Sequence, residues 1–394
     1  MQQHPPFVIY GPVFCLESSC TQAEDYGIYC VDGKIQAVLP IDKIKEIAPK
    51  GVKTIEFSAE TVLLPGMIDL HIHGAAGSDV MDATPQALKN ISEALFQEGT
   101  TGFLATTMTE SSPNIVKALK NISKSSSDGL LKDHLLGVHL EGPFLAKSKM
   151  GAQCEKHILD PDPALFDEFY AAADGKIKIV TLAPERPGAF DFIRHIVKRG
   201  VVASIGHTDA TYQETKEAVK AGASYATHLF NAMRGIHHRE PGCACAILRT
   251  DEITAELIVD GVHVHPEMIS FALKLKGSNR IVLVTDAMRA KCLGEGVFDL
   301  GGQQVTVKGK EARLQDGTLA GSVLTMKEAF LNIQSFVPGV DWVHASQLVS
   351  GNPAKVAGCF GERGSLTKGK RADFIVMSKH GTLEATFFSG CRVK

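Results

Sequence analysis

The chain has 394 residues, 44% hydrophobic and 22% charged, with a formal net charge of −3. That length accommodates one barrel-sized domain of about 250 residues plus a smaller one. The near-neutral balance offers no polybasic surface, which argues against nucleic acid or an anionic membrane as a partner.

At the N-terminus, MQQHPPFVIYGPVF lacks a basic region followed by a long apolar run, so it does not read as a secretory signal. No run of 18 or more apolar residues follows anywhere, and no transmembrane helix is expected. The nine cysteines are odd in number and scattered, and none form a CxxC pair. Reduced thiols in the cytoplasm are the simplest reading, with Cys243 and Cys245 as small packing residues.

Residues 1–60 carry short β-like pieces, Phe7–Tyr10, Tyr26–Val31, Lys34–Leu39 and Lys53–Phe57, which predict a small antiparallel sheet. From Leu63 the pattern changes to eight strand-like runs: Leu63–His73, Gly102–Thr107, Leu135–Glu141, Ile177–Ala183, Val201–His207, Tyr225–Leu229, Thr254–Val259 and Ile281–Thr285. Amphipathic helical segments lie between most of them, among them Thr84–Gln97, Gly188–Lys198, Thr211–Ala221 and Pro266–Leu275. Eight β/α units in series predict an α/β fold, a closed (β/α)8 barrel of TIM type. The runs are rich in Val, Ile and Leu, as strands buried on both faces require. Val297–Leu319 reads as β-hairpins with turns at Gly301-Gly302 and Asp316-Gly317. Helices resume near Thr325–Gln334 and His344–Val349, with Trp342 as packing, and Asp373–Val393 is strand-like. The expected organisation is a barrel over residues 61–364. A small β-sandwich built from residues 1–60 and 365–394 flanks it.

Working residues in such barrels sit at the C-terminal ends of the strands. The first run ends in His71-Ile72-His73, the third in Glu141, the fifth in His207. The sixth holds His228 near its end, and Asp286 follows the eighth. Residues two apart on a strand share a face, roughly 6.5–7 Å apart, so His71 and His73 both face the mouth. Distant segments thus deliver four histidines and two carboxylates to one rim. Imidazole and carboxylate together suit Zn2+ or Fe2+.

These residues lie in recognisable stretches. PGMIDLHIHG (Pro65–Gly74) resembles the signature of the amidohydrolase superfamily. GVHLEGPF (Gly137–Phe144), GHTDA (Gly206–Ala210), THLFNAM (Thr227–Met233), HHREPG (His237–Gly242), DGVHVHP (Asp260–Pro266), VTDAM (Val284–Met288) and GTLAGS (Gly317–Ser322) follow in order. Together they resemble the N-acetylglucosamine-6-phosphate deacetylase family within it. The resemblance implies that Glu141, His207 and His228 hold the main metal, with His71 and His73 placed for a second ion. Asp286 matches the catalytic aspartate. Ala152, Asn231, Ala232, Arg239, His263, Leu319, Ala320, Gly321 and Ser322 match substrate-binding positions. It further implies a homodimer in which Arg239 reaches the phosphate of the neighbouring active site. Gln153 stands where some members have a histidine that polarises the acetyl carbonyl, so the sequence leaves that role open.

The implied reaction is hydrolysis of an acetamide on an N-acetylated amino-sugar phosphate. A divalent metal lowers the pKa of water from 15.7 to about 7, and Asp286 serves as general base, then as acid towards the leaving amine. Arg239 suits a bidentate grip on phosphate, unless neighbouring Glu240 pairs with it. Two other readings compete. One is a different amidohydrolase, such as an N-acyl amino acid deacylase or cyclic amidase. The other is a non-catalytic assembly protein of the same superfamily, which would lack ligands that are all present here.

Overall fold

The structure, a computed structural model, describes residues 5–11, 26–58, 60–127 and 129–394. Residues 1–4 and 12–25 of the expected small domain lie outside the described residues.

Eight strands form one parallel sheet in chain order: Met67–Ile72, Thr100–Thr107, Leu135–Glu141, Ile177–Leu182, Val202–Ile205, Tyr225–Ala226, Thr254–Ile258 and Ile281–Val284. Its ends meet where a bridge joins Ile72 to Ala287. There the Asp286 amide donates to the His71 carbonyl at 2.8 Å, and the His73 amide to the Ala287 carbonyl at 2.9 Å. The expected (β/α)8 barrel is therefore present, and its seam closes at the residues expected to do chemistry. The strand interiors are almost wholly buried and feed one continuous apolar core shared with the surrounding helices. Helix starts follow the local sequence. Thr84 caps Pro85–Gln97 by accepting from the Ala87 amide, and Thr211 with Glu214 forms a reciprocal capping box for Tyr212–Ala221.

The first run divides in two. Thr61–Pro65 pairs with the C-terminal strand Phe374–Ser378, and only Met67–Ile72 enters the barrel. Gly66 sits at the crossing, where a Cβ would collide with the Thr101 side chain. Pro65-Gly66 marks the break, although the buried halves on either side read as one strand. The expected β-only N-terminal segment also contains a helix, Ile41–Ile47.

Two four-stranded sheets flank the barrel. One is built from Lys34–Pro40, Tyr26–Val31, Phe7–Tyr10 and Lys53–Glu56. The other comprises Cys391–Arg392, Leu383–Phe388, Phe374–Ser378 and Thr61–Pro65. They share a small core that includes Phe7, Ile28, Leu63, Phe374 and Phe387. The hairpins after the eighth barrel strand, Gly296–Leu300, Gln303–Lys308 and Glu311–Arg313, turn at Gly301-Gly302, where both φ angles are positive. The segment then returns to the barrel through a bridge between Ser322 and Ala287. It forms one wall of the mouth. Trp342 opens the helix Trp342–Ser346 and packs edge-on against Phe330.

Candidate active site

The barrel mouth holds a cavity of about 470 Å³. His73, Glu141, His207, His228 and Asp286 line it, with Gln153, Asn231 and His263 around them. Three of these residues reach inward on unusual backbone. His207, His228 and Asp286 have φ of 48°, 29° and 50°, a region that costs a residue with a Cβ about 1–2 kcal/mol. Each lies just past a barrel strand, and the left-handed turn swings its side chain over the mouth. Such strain persists only where surrounding contacts over-determine it. For Asp286 those contacts are its amide on His71 and its carbonyl, which accepts from the Ser322 amide at 2.8 Å.

Glu141 is the hub. Its Oε1 lies 3.2 Å from Nε2 of His207, 3.2 Å from Nε2 of His228 and 3.4 Å from Nε2 of His71. Its Oε2 lies 3.2 Å from Nε2 of His73 and accepts from the Gln153 amide at 2.8 Å. Asp286 Oδ1 lies 3.3 Å from His71 Nε2 and 3.2 Å from His73 Nε2. Donor atoms of Glu141, His207 and His228 fall within 4.8 Å of one another, as do those of His71, His73 and Asp286.

The electrostatics follow from this packing. Burial disfavours the His71 cation, but the charges of Glu141, Asp286 and Glu256 outweigh it and hold the pKa well above normal. Burial likewise opposes His73, yet its bonds to Asp286 and Glu141 lift it to about 9. Burial raises Asp286, but His71 and His73 pull it down to about 2, so it is ionised at neutral pH. The cluster is a knot of negative charge that calls for cations.

The amidohydrolase family profile matches residues 62–393. The chain is also 46% identical over 350 residues to the N-acetylglucosamine-6-phosphate deacetylase of Bacillus subtilis (strain 168), covering 88% of this chain and 87% of that one. This chain belongs to the amidohydrolase family. Within that metal-dependent family it stands among the N-acetylglucosamine-6-phosphate deacetylases, which are hydrolases. The deacetylase of Lysinibacillus sphaericus is 40% identical, covering 93% of each chain. Among solved structures, a variant of the Mycobacterium smegmatis deacetylase in complex with N-acetyl-D-glucosamine-6-phosphate has a TM-score of 0.90. It is 30% identical and covers 99% of this chain and 100% of that one.

The donor set of this amidohydrolase fits a divalent cation. His207 Nε2 and His228 Nε2 stand only 3.1 Å apart, both aimed at one carboxylate oxygen. His71 Nε2 is buried and makes no hydrogen bond among the described residues. A divalent cation in each place satisfies these arrangements.

Of the expected substrate-binding residues, Ala152, Asn231, Ala232, His263, Leu319 and Gly321 line the cavity. Ala320 and Ser322 do not. Ala320 belongs to the apolar core beneath the hairpins. Ser322 Oγ donates to the Thr285 carbonyl at 2.6 Å, which makes it a brace behind Asp286. Arg239 is exposed and outside this cavity, with its guanidinium 2.7 Å from the His238 ring. Glu240 is engaged elsewhere, accepting from the amides of Tyr212 and Gly242 at 3.1 and 3.2 Å. Gln153 spans from the Thr109 amide to Glu141.

Three residues escaped the sequence reading. Glu256 is fully buried in the seventh barrel strand, against His71. Its signal was a lone charge in an otherwise apolar strand, because a buried carboxylate must be paired. Lys149 and Arg313 also line the cavity, Lys149 lying 3.6 Å from Asp209 and Arg313 2.7 Å from Glu311. They sit on a loop and a short hairpin, where no periodicity marks a residue as inward-facing.

Proposed function

We propose that this chain hydrolyses N-acetyl-D-glucosamine 6-phosphate to D-glucosamine 6-phosphate and acetate. The observation that carries the reading is the joining of two donor triads through Glu141 at the floor of one cavity, with ionised Asp286 between His71 and His73. Glu141, His207 and His228 would hold one ion, and His71, His73 and Asp286 are placed for a second. Nitrogen and oxygen donors favour Zn2+ or Fe2+. The bound ion supplies the Lewis acidity that brings a water's pKa down to about 7.

The chain's own groups do the rest. Asp286 accepts the proton of the attacking water, then returns it to the sugar nitrogen, so that a neutral amine leaves instead of an amide anion. Gln153 keeps Glu141 in place. His263, anchored by Asp260 at 2.7 Å, lines the cavity as a substrate contact. Within one subunit the phosphate meets Lys149 and Arg313, and Arg239 completes the grip from a second copy in a homodimer. Ile236 is exposed beside Arg239, and Met268, Phe271 and Leu275 are exposed along the helix Pro266–Lys276. These give a second copy apolar surface to cover. The setting is the cytoplasm, where reduced cysteines persist. Among the described residues no helix is long and apolar enough to cross a membrane.

Acetate release tests the reading directly. The metal-loaded protein is given N-acetylglucosamine 6-phosphate, its unphosphorylated form and its 4-epimer phosphate. Turnover of the first well above the second supports the proposal. Equal turnover with and without phosphate removes the phosphate contacts, and no acetate from any of the three ends it.

A further inference from the structure

Glu256 lies in the seventh barrel strand, beside His71. It is fully buried, and its neighbours on the strand are Thr254, Ala255, Leu257 and Ile258. A carboxylate there is retained only if its bonds repay the lost hydration. One oxygen, Oε2, makes both of them. It lies 2.9 Å from Nδ1 of His71 and accepts from the backbone amide of His228 at 3.0 Å. A single atom therefore touches a residue from each donor triad.

We propose that Glu256 is a positioning residue that selects the Nδ1–H tautomer of His71, leaving Nε2 as a bare lone pair facing the cavity. This rests on the reading above, in which His71 binds an ion. The argument is one of competing acceptors. His71 Nε2 faces Glu141 at 3.4 Å and Asp286 at 3.3 Å. To bind an ion the ring must be neutral, and those two carboxylates alone would draw its single hydrogen onto Nε2, where it would block a ligand bond. Glu256 offers a shorter, better-directed acceptor on the opposite edge. An ionised carboxylate can only accept, so Nδ1 must donate. The other nitrogen is then free of hydrogen, the arrangement found when a carboxylate orients a metal-binding histidine.

Among the described residues no other group bonds to Nδ1. His139 stands edge-on to His71 at 4.6 Å between ring centres, but its nitrogens are committed to the Leu70 carbonyl at 3.0 Å and the Thr181 hydroxyl at 2.7 Å. The His139, His71 and Glu256 cluster is thus a buried support beneath the site, with no nitrogen of His139 left for an ion. The second bond of Oε2 anchors His228 in its left-handed turn, so the same carboxylate fixes the spacing of the two triads.

The test is a ¹⁵N spectrum of the imidazoles in zinc-loaded protein labelled at histidine, with the His71 signals assigned by their loss in His71→Asn. The wild type is expected to show hydrogen on Nδ1 of His71 and none on Nε2. Glu256→Gln keeps an oxygen able to accept from both partners and should preserve the pattern. Glu256→Ala should lose it and weaken retention of the His71-dependent ion about 10–100-fold, the range for orienting partners of metal ligands. Hydrogen on Nε2 of His71 in the wild type overturns the inference, and that result needs no variant to fold. So does a folded Glu256→Ala protein with unchanged ring signals and unchanged ion retention. A wild type that retains no divalent ion at all defeats the functional reading instead, while its ring spectrum, taken where His71 is neutral, still judges Glu256.

Discussion

Asp260 holds His263 by two bonds at once, accepting from its Nδ1 at 2.7 Å and from its backbone amide at 2.8 Å. Burial opposes the His263 cation, but the Asp260 bond and charge raise its pKa above normal, while Asp260 itself is held below the carboxylate range against its own burial. Asp260→Asn should therefore move the His263 titration to lower pH, followed by NMR. A hydrogen bond to a charged group is worth about 1.5–3 kcal/mol, so kcat/KM should fall roughly 10- to 100-fold. An unmoved titration would show that Asp260 does not govern the ring.

Asp286→Asn keeps the shape of the side chain but removes its capacity to take a proton. Elemental analysis should show that the ion of Glu141, His207 and His228 is retained, and any metal lost should be the one for which His71, His73 and Asp286 are placed. Acetate release should drop about 10²–10⁴-fold, the usual contribution of general acid–base catalysis. Unchanged turnover would remove Asp286 from the mechanism.

How much of this was legible in the sequence depends on whether a residue announces itself locally. The eight barrel strands did, because strands buried on both faces read as apolar runs between helical periods. The rim residues did as well, since the end of each run names the position that faces the mouth. The change of sheet at Gly66 did not, because the apolar stretches on both sides of Pro65-Gly66 merge into one strand-like run. Nor did Glu256, because it lies inside a strand, whereas rim chemistry is marked at strand ends. Ser322 and Ala320 were assigned to substrate by resemblance, yet their neighbours Leu319 and Gly321 take the cavity surface. The bend at Gly321, whose φ is 63°, turns Ala320 and Ser322 away from that surface. Arg239 lies outside the cavity, and no fact about one chain can place it against a phosphate.

Gln153 connects the Thr109 amide to Glu141 through the two ends of one side chain, each at 2.8 Å. Gln153→Ala should strand the buried Thr109 amide and destabilise the fold by about 1–3 kcal/mol, read from the urea midpoint. It also frees Oε2 of Glu141, so ion retention should weaken about 10–100-fold. Wild-type ion retention in this variant would mean that Glu141 needs no external support.

The proposed reach of Arg239 across a dimer can be tested by mixing. Arg239→Ala should raise KM for the phosphorylated sugar and leave the unphosphorylated one little affected. Subunits carrying Arg239→Ala and subunits carrying Asp286→Asn are then unfolded together and reassembled at equal amounts. A two-fold dimer of one chain of each kind contains one complete site, so about a quarter of wild-type activity should return. No recovery above the separate variants would place the phosphate grip within a single subunit.

His134 makes the fold acid-sensitive at a place remote from the chemistry. Its ring is fully buried and stacked on Phe96 at 4.0 Å, with Nδ1 2.6 Å from the Ser92 hydroxyl and Nε2 3.1 Å from the Thr100 carbonyl. Burial pushes its pKa down to about 3, whereas in the unfolded chain it is about 6.5. Below pH 6.5 the unfolded chain therefore takes up a proton that the folded chain refuses. Stability from this residue is complete above pH 6.5 and declines as pH falls towards 3, at about 1.4 kcal/mol per pH unit. Between pH 6.5 and 5 the loss is about 2 kcal/mol. Urea unfolding at pH 7 and pH 5 should show His134→Gln to be less stable than wild type at the higher pH but less sensitive to acid. Equal acid sensitivity in both proteins would mean that His134 charges without leaving its pocket.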